Sequence, residues 1–239
     1  MRALGAQVRL ELALLARNGE SLLLTLAIPV LLLLFFSNVD VLPIDGEPID
    51  FLAPGVLALA VLSTSLVNLA IGTGFERHYG VLKRLGSTPL GRPRLLAGKV
   101  VSVLAVEAVQ IVVLGGLGRA LGWRPDVALV PFLAAVVLGT AACAGLALVL
   151  AGRLGALVTL AAANGLYLVL LLLSGMVIPL DELPAGMRGV ARALPSGALA
   201  EAVRGSLQTG AEVPASAWWV LAAWAVAAPV AAARLFRWE

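Results

Sequence analysis

The chain has 239 residues, of which 61% are hydrophobic and 13% charged, with a formal net charge of +3. Soluble domains carry about 45–50% apolar and about 25% charged residues, so this composition excludes a soluble globular fold and points to an integral membrane protein. A single cysteine, Cys143, and a single histidine, His78, exclude an intrachain disulfide and a thiolate or histidine metal cluster within one chain, and the small positive charge beside apolar spans signals topology rather than nucleic-acid binding.

Residues 1–20 read as an amphipathic helix lying in the membrane interface. Leu4, Val8, Leu12 and Leu15 share one side, and Arg2, Arg9, Arg17 and Glu20 the other. A signal-peptide n-region is the alternative, but no small-residue cleavage pattern follows the next apolar run. The first span is predicted over Ser21–Phe36, slightly short of the ~20 residues that cross ~30 Å of hydrocarbon. Pro29 predicts a kink in it. Residues 37–51 hold four acids (Asp40, Asp45, Glu47, Asp50) and no basic residue, which places them outside. The second span, Leu52–Phe75, carries Ser63, Thr64, Ser65, Asn68 and Thr73, polar groups that either bond between helices or line a polar path.

Residues 76–99 form a charged island. Arg77, Lys83, Arg84, Arg92, Arg94 and Lys99 are six of the seventeen basic residues, accompanied by one acid, Glu76. Short Lys/Arg-rich loops resist translocation, so this one belongs in the cytoplasm. Within it, Gly80–Gly86 predicts a short helix with Val81, Leu82 and Leu85 as an apolar ridge flanked by Lys83 and Arg84, and Pro89 disfavours helix at Thr88. Such a helix suits a mechanical contact with a soluble partner. A loop whose basic residues only bind headgroups is the alternative.

The third span, Val100–Gly118, contains Glu107 and Gln110, three apart and on one face. A mid-span charge costs roughly 2.5–3.5 kcal/mol, so Glu107 should be paired or neutral: a structural link to Gln110 or a neighbouring helix, or else a substrate-cation or proton site. After an outside loop, Arg119–Asp126, the fourth span, Val127–Leu150, shows Gly139, Ala141, Cys143 and Gly145, small residues that permit close helix approach. A turn at Gly152–Gly155 lies inside. The fifth span, Ala156–Ile178, carries Thr159, Asn164 and Tyr167.

Residues 179–217 predict two short amphipathic helices outside the membrane. The first sets Met187, Val190 and Leu194 against Arg188 and Arg192; the second starts at Ser196 as N-cap and aligns Leu199, Val203 and Leu207. The sixth span, Trp218–Ala233, is flanked by interface anchors Trp218, Trp219, Arg234, Phe236, Arg237 and Trp238. Twelve Lys/Arg then fall inside and five outside, with nine acids outside and four inside. The predicted fold is a single all-α integral membrane domain over residues 1–239, with six spans and both termini cytoplasmic.

No catalytic or metal site is expected. Gly98-Lys99 resembles the end of a phosphate loop, but Pro93 and Val100 occupy the positions that need glycine and a hydroxyl. Arginine outnumbers lysine fifteen to two, a compositional pointer to a GC-rich bacterial genome and so to a bacterial cytoplasmic membrane.

The pattern Glu76-Arg77-x-x-Gly80-x-Leu82-Lys83-Arg84-Leu85-x-x-Thr88-Pro89-Leu90, followed by Gly98-Lys99, resembles the loop between spans two and three of type-2 ABC exporter permeases. Ser174-Gly175-x-x-Ile178-Pro179-x-x-x-Leu183-Pro184 and Leu194-Pro195-x-x-x-Leu199-x-Glu201-Ala202-x-Arg204-Gly205 resemble later stretches of the same family. The resemblance implies a six-helix half-transporter that pairs with a second one, identical or paralogous, and binds two copies of a separate ABC ATPase carrying ATP and Mg. This chain itself would bind no cofactor. Glu76, Arg77, Tyr79, Val81, Leu82, Lys83, Arg84 and Leu85 would form the coupling contact, with Arg153 in a smaller second one. Spans two and five would line the path, through Thr64, Asn68, Thr73, Thr159, Asn164 and Tyr167, with the helices after span five dipping partly into the membrane. The implied cargo is an amphiphilic or hydrophobic molecule (drug, antibiotic or lipid) moved outward. A non-transporting scaffold or sensor partner is the competing class. A proton-driven carrier would show inverted repeats and more buried charge.

Overall fold

A computed structural model describes residues 19–37, 48–86, 92–177, 179–208 and 212–236. The expected interfacial helix over residues 1–20 lies almost wholly outside the described residues, as do Asp40, Asp45 and Glu47, the Thr88–Leu90 segment, and Arg237 and Trp238. The described residues are helical, with no strand among them.

The first helix, α1, is Gly19–Ser37. The second is an unbroken rod from Pro48 to His78, 31 residues long. Proline opens it, where a missing N–H is harmless, and Asp50 sits in its positive first turn. The rod has three parts: α2 (Pro48–Leu62), a π-helical segment π1 (Ser63–Asn68), and α3 (Leu69–His78). The π segment coincides with the hydroxyl cluster. Ser63 Oγ donates to the Ala60 carbonyl and Ser65 Oγ to that of Val61, and such back-bonding competes with the regular helical ladder. Tyr79 ends α3, Gly80 turns the chain at φ +71°, and α4 (Val81–Gly86) follows.

Next come α5 (Arg92–Ala120), α6 (Leu129–Arg153) and α7 (Ala156–Leu172). Helix α5 begins eight residues before the expected span, so residues 92–99 extend the helix rather than a loop. Helix α7 stops six residues before the expected end, because Ser174-Gly175 builds a turn. Ser174 Oγ donates to the Leu171 carbonyl and accepts from Met176 N–H, and Gly175 sits at φ +72°. A 3-10 turn (Leu180–Glu182), α8 (Ala185–Ala193), α9 (Pro195–Leu207) and α10 (Ala215–Leu235) complete the chain.

Among the described residues, four helical stretches are long and apolar enough to cross a membrane: Pro48–His78, Leu95–Ala120, Leu129–Arg153 and Ala215–Leu235. Thr25–Ser37 and Ala156–Leu172 are shorter apolar helices. At ~1.5 Å per residue, α7 covers only about 25 Å.

Helix α6 is the hub, and its longest contact is with α10. A Cβ at Gly145 would lie 2.5 Å from backbone atoms of Ala228 and Pro229, so the absence of a side chain sets how closely α6 and α10 approach. One turn and a half earlier, Gly139 lies under Leu199 of α9. Helix α9 is not a surface helix: Ala198, Leu199, Ala202 and Val203 are wholly buried, against α6, α2 and α10. Ser196 does not cap it. The N-cap is Leu194, Pro195 takes the first helical position, and the buried Ser196 Oγ donates to the Leu170 carbonyl of α7. Proline needs no cap for its missing N–H, which frees the serine for this tie.

Arg204 closes the end of the bundle away from α4. Its Nη2 donates to the Gly175 carbonyl at 2.9 Å, and its guanidinium lies 4.2 Å from the Phe51 ring centroid. One residue of α9 thus fastens the turn after α7 to the start of α2.

Candidate functional site

Two regions concentrate the residues singled out above: a cavity among α1, the α2–π1 stretch and α7, and a charged knuckle at the α3–α4 end.

The cavity holds about 230 Å³. Helix α1 supplies Thr25, Ile28 and Pro29 to its wall; the second rod supplies Leu59, Ser63, Val67 and Asn68; α7 supplies Asn164 and Tyr167. Three of the six expected path residues, Asn68, Asn164 and Tyr167, therefore meet in one place. Asn68 Nδ2 donates to Thr25 Oγ1 at 2.8 Å, and Asn164 Nδ2 donates to the Leu160 carbonyl of its own helix at 2.8 Å. The other three do not face the cavity. Thr64, Thr73 and Thr159 are buried in helix contacts. Thr64 Oγ1 donates to Gln110 Oε1 at 3.0 Å, Thr159 donates to the Leu154 carbonyl, and the Thr73 hydroxyl has no partner among the described residues. A Cβ on Gly74 would come within 3.2 Å of Thr159, which is where α3 crosses α7.

Behind the cavity wall runs a polar chain across three helices. Gln110 Nε2 donates to the Thr25 carbonyl at 3.1 Å while its Oε1 accepts from Thr64. Asn68, Thr25, Gln110 and Thr64 are thus connected bond to bond. Thr25 escaped notice in the sequence, where it is a lone hydroxyl in an apolar run. π-Helical segments within α-helices are frequent at functional sites, and this one carries the cavity residues Ser63, Val67 and Asn68.

Glu107 does not pair with Gln110. It is buried, its Oε2 stands 2.6 Å from Thr140 Oγ1 of α6, and its Oε1 has no partner among the described residues. Of the readings available for it, the link to a neighbouring helix matches this geometry. Interhelical hydrogen bonds in membranes average about 0.6 kcal/mol, and an amide oxygen can take the place of Oε2. Glu107→Gln is therefore expected to keep the purified protein's melting midpoint unchanged or slightly raised, measured by thermal unfolding in mild detergent. A large fall would mean that the carboxyl itself is required.

At the other end of the rod, the expected coupling residues separate into two sets. Tyr79 is 68% exposed, Val81 38%, and Lys83, Arg84 and Arg153 are exposed as well. Leu82 is wholly buried, so the expected ridge of Val81, Leu82 and Leu85 does not present one outward face. On a helix of six residues, consecutive side chains lie about 100° apart, and Leu82 takes the inward position. The side chain of Leu85 lies outside the described residues. Tyr79 stacks on Phe75 (centroids 6.2 Å apart) and meets His78 edge-on.

Glu76 and Arg77 face the fold. Arg77 Nη1 donates to the Ala151 carbonyl at 2.8 Å, placing a cation at the negative end of α6. Glu76 Oε2 and Lys99 Nζ form an ion pair at 2.6 Å, and Lys99 is 3% exposed, which ties α3 to α5. The charged island is accordingly a built frame: α3 is held to α5 by one charge pair and to the α6–α7 turn by one guanidinium, with Tyr79, Val81 and Lys83 projecting from it. Among the described residues, no group of three or more His, Cys, Asp or Glu could hold a metal ion.

Compared with known proteins, residues 2–207 match the family model described as ABC-2 type transporter. None of the curated proteins compared with the chain matches it.

Proposed function

The chain belongs to the ABC-2 type transporter family, a family of membrane transport components, and from that premise we propose that it is the permease subunit of an ATP-driven exporter in a bacterial cytoplasmic membrane. In this reading all six apolar helices span, both termini are cytoplasmic, and the chain pairs with a second permease. Two copies of an ABC ATPase hold ATP and Mg and do the hydrolysis. The cargo is an amphiphilic or hydrophobic molecule leaving the cytoplasm or inner leaflet.

The observation that carries the proposal is the rod Pro48–His78. One end carries the exposed knuckle at Tyr79–Lys83, and its π segment forms a wall of the cavity. A push on the knuckle is a push on the cavity wall, because a helix transmits force along its axis and between Leu59 and the knuckle only π1 interrupts its regular bonding. Arg77 adds the α6–α7 turn to the same moving part, so Arg153 of that turn and the knuckle act as one docking surface. The polar chain from Asn68 through Thr25 to Gln110 spreads a displacement of π1 to α1 and α5.

Purification in mild detergent after co-expression with an ABC ATPase from the same genome is expected to yield a stable complex, and inverted vesicles containing that complex are expected to accumulate substrate only with ATP. A stable complex that hydrolyses ATP but moves none of a panel of lipids and amphiphilic drugs would favour a sensor or scaffold role instead.

A further inference from the structure

We propose that the cavity among α1, π1 and α7 selects uncharged amphiphiles, taking a hydrocarbon portion against Ile28, Leu59 and Val67 and a neutral amide, ester or hydroxyl group at Asn68, Asn164 and Tyr167. The inference rests on the transport reading above and narrows its substrate class.

Nine described residues line the cavity and none is charged. A cation or anion entering it would leave its hydration shell in a low-dielectric region with no counter-charge among the described lining residues to meet it, which is heavily disfavoured. The nearby intramembrane carboxyl does not change this. Glu107 is absent from the lining, 1% exposed, and engaged by Thr140 of α6. The basic residues of the knuckle lie at the end of the rod beyond α3. A second, identical copy would bring the same uncharged lining.

The polar groups that do line the cavity fit a neutral headgroup. Asn68 and Asn164 each commit one N–H to the protein and retain a second N–H and a carbonyl, so each can donate and accept at once. Tyr167 adds a hydroxyl on the same helix as Asn164, three residues on and therefore on the same face. A free space of about 230 Å³ is smaller than the ~300–1,000 Å³ pockets that enclose a whole drug-sized ligand, so the cavity receives a headgroup and the first part of a chain.

The test uses the permease–ATPase complex in phosphatidylcholine vesicles and three lipids carrying the same photoreactive acyl chain: a ceramide, a phosphatidate and a trimethylammonium-propane lipid. Ceramide labelling of the α1, π1 and α7 peptides is expected to exceed that by either charged lipid at least tenfold. It is also expected to fall at least fivefold in Asn164→Leu, whose side chain is exposed and bonds only within its own helix, so that the variant keeps the fold. Equal labelling by the three lipids, preference for a charged one, or labelling unchanged in Asn164→Leu would overturn the proposal. ATP-dependent movement of the ceramide is read separately. Selective labelling without movement would leave this inference standing and count against the exporter reading.

Discussion

Tyr79→Ala combined with Val81→Asp is expected to reduce ATP-dependent transport at least tenfold while the permease still inserts and melts near the parental temperature; Leu82→Asp is expected to abolish the folded protein. Both changes alter the same short segment, and burial separates them. Tyr79 and Val81 are 68% and 38% exposed, so the double variant removes an outward apolar contact and loses inside the chain the Tyr79 ring contacts with Phe75 and His78, worth about 0.5–1.5 kcal/mol each. Leu82 is wholly buried. Replacing it with aspartate forfeits roughly 1.5–3 kcal/mol of apolar burial and places an unpaired carboxylate where water does not reach, at a further cost of several kcal/mol. Three measurements on each variant decide the matter: yield of folded protein, melting temperature, and transport together with substrate-stimulated ATPase activity of the complex. Normal transport in the Tyr79/Val81 variant would remove the docking role from this knuckle, and a folded Leu82→Asp protein would contradict the packing of α4.

The apolar helices, four of them among the described residues long enough to cross a membrane, their order and the small-residue face of α6 are legible in the sequence because they follow from composition and spacing alone. Gly139 and Gly145 do mark close helix approach, and the apolar face Leu199, Val203 and Leu207 is buried as its periodicity implies. What periodicity cannot supply is phase and partner. Val81, Leu82 and Leu85 read as one ridge, but six residues permit several inward faces, and only the surrounding helices select Leu82. Lys99 looks like a solvated residue in a basic loop; its burial depends on Glu76, twenty-three positions away and on another helix. Ser196 follows a proline and fits a cap equally well as a tie to Leu170, and the choice is made by the backbone of α7 passing beside it. The π segment is hidden for a related reason. Ser63, Thr64, Ser65 and Asn68 announce polar groups in a span, while the change of helical period that turns Asn68 to Thr25 and leaves Thr64 on Gln110 is a property of backbone hydrogen bonding. Half of the expected path residues reach the cavity as a result, and the half that do not are the threonines buried where helices pack.

The charge pair at the base of the rod makes the second large effect. Lys99→Met is expected to destabilise the protein by about 1–3 kcal/mol: the ammonium is 3% exposed and its contact is lost, while Glu76, 25% exposed, is reached by water. Glu76→Gln with Lys99→Met should recover most of that loss, since an amide beside a thioether carries no uncompensated charge and the methionine refills the volume of the lysine stem. The coupling energy from this double-mutant cycle isolates the pair from the rest of the frame. Transport need not follow stability. In the double variant α3 is no longer fastened to α5 by charge, while Arg77 still holds it to Ala151 and the α6–α7 turn. Displacement of the knuckle would then reach α6 and π1 but pass less completely to α5, so a melting temperature close to the parental one is expected together with transport several-fold below it and ATPase activity retained. Full transport in the restabilised double variant would show that the Glu76–Lys99 tie serves the fold alone and that force leaves the knuckle through Arg77.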